Sequence, residues 1–314
     1  MIEACDALLP WSLVEVIKGE REKGKGENGV YDSDGGAKIE DIEAKIDLTA
    51  FTQPALFAVQ MGLAQLWRSW GVEPDAVLGH SFGEIAAAVV VGMMSLEDGL
   101  RLAAERGRLI QSLPDDAGAM ALVLAGRAEV EPFLSGDKRV IIAVENGPDR
   151  IVLSGDKQDL AEVVTRLDEA GIVCRQLRVS YGSHSMMMEP ILEDFREAGL
   201  ALSYEKGDRP FVSSMTGKLI DRVDGDYWAA HLAHPVLFSR AIEQVKSYDI
   251  FMEIGPRPAL MTIGKETVWG HEKTWLASLH PKAGRELTMA ESLGVLYEQG
   301  VAIDWGAVYP RGPN

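Results

Sequence analysis

The 314-residue sequence contains two cysteines, Cys5 and Cys174. That is too few for a disulfide framework and points to a reducing compartment. No apolar run approaches the ~20 residues of a membrane span, and the N-terminus shows no basic-then-apolar signal pattern. Cations are in short supply: 31 Lys and Arg stand against 48 Asp and Glu, a net charge of -17. The deficit argues against nucleic acid and against an anionic membrane surface, both of which need clustered Lys and Arg. There is no internal repeat and no low-complexity tract. No Glu-bearing zinc motif frames the histidines, so no metal site is expected. The expectation is a cytoplasmic protein whose acidity serves solubility.

What is there is a hydrophobic content of 46%, enough for a sizeable core, and one sharply defined turn. Gly79-His80-Ser81-Phe82-Gly83 reads Gly-x-Ser-x-Gly between a short apolar strand (Val77, Leu78) and an Ala-rich helix (Ile85 to Val91). This is the pattern of a nucleophile elbow. Glycines are expected on both sides of the turn because a Cβ there would clash. The serine Oγ is then set just ahead of a helix N-terminus, where backbone N–H groups stabilise developing negative charge. An enzyme that forms a covalent serine ester is the reading.

The rest of the chain falls into three parts. Residues 19–37, rich in Gly, Lys and Glu, read as a solvated loop. A helix from Gln53 to Trp70 follows, with Pro54 in its first turn and Gly71 at its end. After the elbow, Ser95 and Asp98 mark the start of another helix. Residues 117–181 then change character. Strands at Ala119–Leu124, Val140–Val144, Ile151–Leu153 and Val173–Val179 alternate with helices at Ala128–Leu134 and Asp159–Ala170 in the order β-α-β-β-α-β, the split βαβ pattern. A turn at Asn146-Gly147-Pro148 joins the middle strands. The body resumes with a helix near 188–198, strands near 211–214 and 249–254, and a helix near 287–299. The expected fold is α/β: an α/β-hydrolase-like subdomain (1–116 and 182–285) interrupted by a ferredoxin-like subdomain (117–181), with 286–314 as a following linker.

A serine nucleophile needs a base. Of six histidines, His184 stands at the end of the last inserted strand, in Tyr181-Gly182-Ser183-His184-Ser185. Loops at strand ends commonly carry catalytic groups; the bland alternative is a hydrogen-bonded surface histidine. His80, beside the serine on a sharp turn, reads as structural. His231 and His234, three apart, suit one helix face but lack a metal motif. Arg106 is the second distinctive residue. At 100° per residue it falls among Leu102, Gly107 and Ile110, opposite Glu97, Arg101, Glu105 and Arg108. A guanidinium facing a core requires a partner. That partner is either an internal Asp or Glu or a substrate carboxylate, which its planar fork fits.

Taken together these residues resemble the acyltransferase domains of modular type I polyketide synthases, relatives of malonyl-CoA:acyl carrier protein transacylases. The resemblance runs nearly end to end. It rests on Thr52-Gln53-Pro54-Ala55-Leu56-Phe57, on Gly79-His80-Ser81-Phe82-Gly83-Glu84, and on Arg106. Further along it rests on Asn146-Gly147-Pro148, Ser154-Gly155, Tyr181-Gly182-Ser183-His184, Glu253-Ile254-Gly255-Pro256 and the stretch from Leu296-Tyr297 to Asp304-Trp305.

The resemblance implies that Ser81 attacks an acyl-CoA thioester with His184 as base, and that the acyl group then passes to the phosphopantetheine thiol of an acyl carrier protein. It implies no cofactor of the enzyme's own. Arg106 would hold the acyl carboxylate, and Gln53, His80, Tyr181, Gly182 and Ser183 would line the substrate. Phe82 would supply an oxyanion N–H. The backbone of His231 would orient His184, a task that hydrolases usually give to a carboxylate.

Two departures stand out. The family's opening Gly-x-Gly-Gln loop, whose Gln gives the second oxyanion donor, has no match in these residues; the expectation is either an excised fragment or a strand supplied from elsewhere. The specificity motif Tyr-Gly-Ser-His is close to the methylmalonyl type, whereas Phe82 follows the malonyl habit. The expected substrate is an α-substituted malonyl unit, methylmalonyl first, with malonyl transfer and serine esterase or thioesterase activity as alternatives. Expected partners are a carrier protein, a flanking ketosynthase and other synthase domains. Carrier docking would draw on some of Arg175, Lys206, Arg209 and Lys218.

Overall fold

The computed structural model describes Leu9, Leu13 and residues 46–114, 118–134, 136, 139–177, 179, 181–268, 273–281 and 285–309. The loop expected at 19–37, together with Cys5 and His271, lies outside the described residues. In chain order the elements are α1 (Thr49–Ser69), β1 (Val77–Leu78), α2 (Gly83–Val90), α3 (Leu96–Gln111), β2 (Ala119–Val123), α4 (Arg127–Val130), β3 (Val140–Gly147), β4 (Arg150–Gly155), α5 (Lys157–Glu169) and β5 (Cys174–Gln176). They continue with α6 (Glu189–Leu200), β6 (Phe211–Ser213), β7 (Lys218–Ile220), α7 (Gly225–Ala233), α8 (Phe238–Gln244), β8 (Ile250–Glu253), α9 (Leu260–Thr267), β9 (Thr274–Ala277), α10 (Arg285–Glu298) and α11 (Trp305–Val308).

Strands β2 to β5 form one antiparallel sheet in the order β3-β4-β2-β5, with α5 on one face. This is the ferredoxin-like subdomain. Its core is Val123, Val130, Ile142, Leu153, Leu160 and Leu167. Strand β5 is shorter than the run Val173–Val179 suggests: it pairs only with β2, and Val173 and Val179 are exposed. Strand β3 is longer than expected. It runs through Asn146 to Gly147 and carries register shifts at Ile142/Val144 and Glu145/Gly147. Such irregularities redirect side chains.

The body surrounds the elbow. β1 pairs in parallel with β6, and β6 forms a hairpin with β7. β8 and β9 form a separate parallel pair. The largest apolar cluster joins α1, α2, α3, α6 and α7 through Phe57, Ile85, Leu100, Phe195 and Trp228. Helix α3 lies close against α1 because its glycines permit it. A Cβ on Gly107 would stand 2.6 Å from the Thr49 carbonyl oxygen, and one on Gly99 would stand 2.8 Å from the Phe57 ring. The Ser95 Oγ caps α3 by accepting from the Asp98 N–H at 3.0 Å. The stretch expected to be a linker packs on α1: Met289, Leu293 and Leu296 of α10 are buried with Leu63 and Trp67. No described helix is long and apolar enough to cross a membrane.

Candidate active site

The elbow is built as its residue types require, with one correction. A Cβ on Gly79 would fall 2.3 Å from the Glu84 backbone, so only glycine fits there. Gly83 is different. Its nearest neighbour would be Gln60 Nε2 at 3.8 Å, and an added methyl has room. The helix turns away from the strand within Ser81 and Phe82, so by Gly83 the crowding has passed. Ser81 itself adopts φ 49°. A non-glycine residue in this left-handed region costs roughly 1–3 kcal/mol and persists where the surroundings impose it. His184 shares the feature, with φ 60°.

These two residues meet. Ser81 Oγ lies 2.6 Å from His184 Nε2. On the far side of the ring, His184 Nδ1 lies 3.0 Å from the backbone carbonyl of His234. A carbonyl only accepts, so Nδ1 carries the proton and Nε2 is left to accept from the serine hydroxyl. His184 is buried, and its pKa lies well below the ordinary 6.5. Burial is the main cause, followed by the neighbouring His231 and Arg106; the His234 carbonyl acts in the opposite direction. The ring is therefore a neutral base at physiological pH.

His231 was the expected orienting residue. The orienting carbonyl belongs instead to His234, which follows α7 with extended backbone. Nor do the two histidines share a face. His231 is buried, whereas His234 is exposed and places Nδ1 2.8 Å from the Ala230 carbonyl. The His231 ring stands edge-on to His184 with centroids 6.0 Å apart, and its Nε2 lies 3.6 Å from Glu84 Oε1. Glu84, fully buried at the start of α2, accepts from the Ser214 N–H and hydroxyl and from the Tyr227 hydroxyl. Burial pushes its pKa up, but His231 and these donors outweigh that and hold it below the ordinary carboxylate value. The sequence assigns Glu84 no role; its one signal is a charged residue directly preceding Ile85-Ala86-Ala87-Ala88.

Arg106 is buried, and it has no carboxylate partner among the described residues. Its Nη1 donates to Gln53 Oε1 at 2.8 Å, its Nε has no hydrogen-bond partner, and its guanidinium carbon lies 5.8 Å from the centroid of the Phe82 ring. Burial pushes its pKa down to about 10, so it stays charged at neutral pH. Among the described residues no internal ion pair holds Arg106; a buried cation stands beside Phe82, the residue after the nucleophile. Gln53, expected among the substrate contacts, is occupied with Arg106 through its oxygen and with Thr49 Oγ1 through its nitrogen at 2.7 Å. The close α1–α3 approach at Gly107 is what brings Arg106 within its reach.

The remaining expected residues make contacts of their own. Tyr181 OH accepts from Gln111 Nε2 at 2.8 Å, a contact not anticipated from sequence, and Gln111 Oε1 is buried without a partner. Gly182 lies under Met187, whose Cγ would be 2.9 Å from an added Cβ. Ser183 precedes the base and is partly exposed. His80 Nε2 donates to Asn146 Oδ1 at 2.8 Å, so its ring faces the small subdomain. No backbone partner takes the Phe82 N–H among the described residues. Among the described residues no cluster of three or more His, Cys, Asp or Glu suits a metal.

A hydrolase-like body with a serine on its elbow, a neutral histidine against it and a ferredoxin-like insert defines the serine acyl-transfer class. Comparison narrows the class to one family. The chain belongs to the acyl transferase domain family, whose sequence model matches residues 3–303. Polyketide synthase GfsA of Streptomyces halstedii is 37% identical over 279 residues, which cover 86% of this chain and 4% of that protein. The acyltransferase domain from the second module of the salinomycin polyketide synthase superposes with TM-score 0.87 at 36% identity, covering 98% of this chain and 69% of that one. The SpnD acyl transferase domain, in complex with 2-(pent-4-yn-1-yl)malonyl, superposes with TM-score 0.81 at 27% identity, covering 99% of this chain and 71% of that one. The chain spans 4% to 8% of the length of the first curated relatives it matches. It is an acyltransferase domain of the polyketide synthase kind.

Proposed function

We propose that the chain loads an α-substituted malonyl unit, methylmalonyl first, from acyl-CoA onto an acyl carrier protein through an ester on Ser81. Ser81 Oγ attacks the thioester carbonyl while His184 Nε2 takes the hydroxyl proton. The tetrahedral oxyanion turns toward the Phe82 N–H at the start of α2. Its collapse expels the CoA thiolate, which takes the proton from His184. The phosphopantetheine thiol then attacks the ester, His184 again carrying the proton, and Ser81 is regenerated. The kinetics are ping-pong.

The observation that carries this reading is Arg106, buried, charged and without an anion among the described residues. An acyl group with a free carboxylate supplies the missing partner, and an ordinary ester does not. The SpnD domain, similar to this chain, was solved with a malonyl derivative. The α-substituent rests on Tyr181-Gly182-Ser183-His184, since Ser183 leaves more room than Phe does. Phe82 favours malonyl as the second reading, and one methyl is worth only about 1–3 kcal/mol in a pocket. Docking of the carrier is transient. Two of its candidate cations, Lys206 and Arg209, already pair with Asp221 and Glu73 at the surface.

Intact-mass analysis after exposure to a mixture of malonyl-, methylmalonyl- and acetyl-CoA tests the reading. The expected adduct is methylmalonyl on Ser81, which moves to carrier protein when that is added. Acetyl as the dominant adduct, or hydrolysis indifferent to the carrier, would sink it.

A further inference from the structure

Ser81 and His184 lie 103 residues apart in sequence, and no local turn joins them. One strand of the small subdomain touches both. Asn146, near the end of β3 and 7% exposed, accepts from His80 Nε2 at 2.8 Å, and His80 is the residue before the nucleophile. Three residues earlier on β3, the Ala143 carbonyl accepts from the Val236 N–H at 2.8 Å. The Glu145 N–H donates back to the Val236 carbonyl at 2.8 Å. Val236 lies two residues after His234, whose carbonyl orients the base. The His80 ring also packs on Phe238 of the same segment, centroids 5.2 Å apart.

Asn146 is fixed in turn. Its carbonyl accepts from Thr267 Oγ1 of α9 at 3.2 Å, and the register shift between Glu145 and Gly147 sits on it. A polar side chain buried this far is retained at a cost unless it is paired, and its partner here is the elbow.

We infer that Asn146 is a positioning residue. Through His80 it holds Ser81 in register with His184, while the same strand holds the carbonyl that aims His184. The small subdomain is thereby the gauge that sets the separation of nucleophile and base. The inference rests on the proposed roles of Ser81 and His184. A displacement of about 1 Å between reacting groups can cost 100-fold, so the effect belongs in the rate of acylation and not in affinity.

The test compares wild type, Asn146→Ala, Asn146→Asp, His80→Ala and the Asn146→Ala/His80→Ala double variant, all in the full chain. Two probes are run in parallel: a fluorophosphonate, which reports Ser81–His184 reactivity whatever the natural acyl group, and methylmalonyl-CoA. Melting temperatures are recorded alongside. Asn146→Ala is expected to slow labelling at saturating probe by about 10- to 100-fold, with the half-saturating concentration within about twofold of wild type. Asn146→Asp keeps the acceptor for His80 and is expected to recover to within about threefold, on the ordinary scale of a retained hydrogen bond. The double variant is expected to be no slower than the slower single one, since the two residues act as one contact.

Wild-type labelling of Asn146→Ala, a change in half-saturation alone, or losses that multiply in the double variant would each overturn the inference. If Asn146→Ala does not fold, the pair His80→Ala and Asn146→Asp decides it: slow and near-normal supports, both normal overturns. A wild type that takes the fluorophosphonate but no methylmalonyl group refutes the substrate reading while leaving the positioning role tested by the first probe.

Discussion

Replacing Arg106 with methionine should separate stability from function. Burial pushes the guanidinium from its ordinary value down to about 10. At about 1.4 kcal/mol per tenfold change in proton affinity, this sets roughly 3 kcal/mol against the charged form. The Gln53 hydrogen bond returns about 1.5–3 kcal/mol, and the Phe82 ring about 0.5–1 kcal/mol. The charge is therefore close to neutral for folding. Methionine keeps the apolar stem and removes both terms, but it leaves the buried Gln53 Oε1 without its donor, which costs about 1–3 kcal/mol. The expected loss of stability is therefore no more than about 3 kcal/mol, read by calorimetry. Function should respond more strongly. Without Arg106 a bound acyl carboxylate is buried and unpaired, worth about 3–5 kcal/mol, or 100- to 1000-fold and more in kcat/KM for methylmalonyl-CoA. Acetyl-CoA, with no carboxylate, should lose little or gain. The assay is a competition between the two thioesters read by the mass on Ser81. Equal losses on both, or a destabilisation above about 3 kcal/mol, would refute the account of Arg106 as a cation kept for the substrate.

Three further outcomes follow from the geometry. The acylation rate should stay flat as pH falls from 8 to 6.5, because the pKa of His184 lies well below 6.5; a stopped-flow profile breaking near 6.5 would contradict this. Stability should move the other way from a usual histidine pair. The pKa values of His184 and His80 are lowered in the folded state, so below about 6.5 the unfolded chain binds protons that the folded one does not. Stability is then lost as pH falls, by up to about 1.4 kcal/mol per pH unit per group, measurable by urea titration. Gly79→Ala should abolish Ser81 reactivity, since its methyl meets the Glu84 backbone at 2.3 Å; Gly83→Ala, with its nearest contact at 3.8 Å, should leave reactivity near wild type and gain up to about 1 kcal/mol in helix stability.

Local pattern carried much of this molecule, and long-range contact carried the rest. The elbow was readable because Gly79 and Ser81 answer to a turn five residues long, and the arc of α3 because helical spacing alone puts Arg106 among Leu102, Gly107 and Ile110. The split βαβ order was legible for the same reason, in its alternation and its turns. What escaped was set across the fold. The backbone of His234 orients the base and not that of His231, because a carbonyl has no side-chain signature. Glu84 gains its partners from Ser214 and Tyr227, more than a hundred residues away. Gln53 turned inward to Arg106 because Gly107 lets two helices close on each other, a contact that neither segment announces alone.

The carbonyl behind His184 has a consequence for selectivity. A charged orienter would raise the basicity of the ring for every substrate. A carbonyl orients it without a full charge; burial is the main cause of its depressed pKa, and the neighbouring His231 and then Arg106 lower it further. On the proposed reading, a methylmalonyl group places its carboxylate against Arg106 and cancels part of that effect. The base is then strongest when the correct substrate is bound, and stays depressed beneath an uncharged acyl group. Arg106 would thereby discriminate twice, in binding and in proton transfer. Arg106→Met should move the acidic limb of the pH–rate profile for acetyl-CoA upward in pH, toward the limb that wild type shows with methylmalonyl-CoA. Coincident acetyl limbs in the two proteins would confine Arg106 to binding alone.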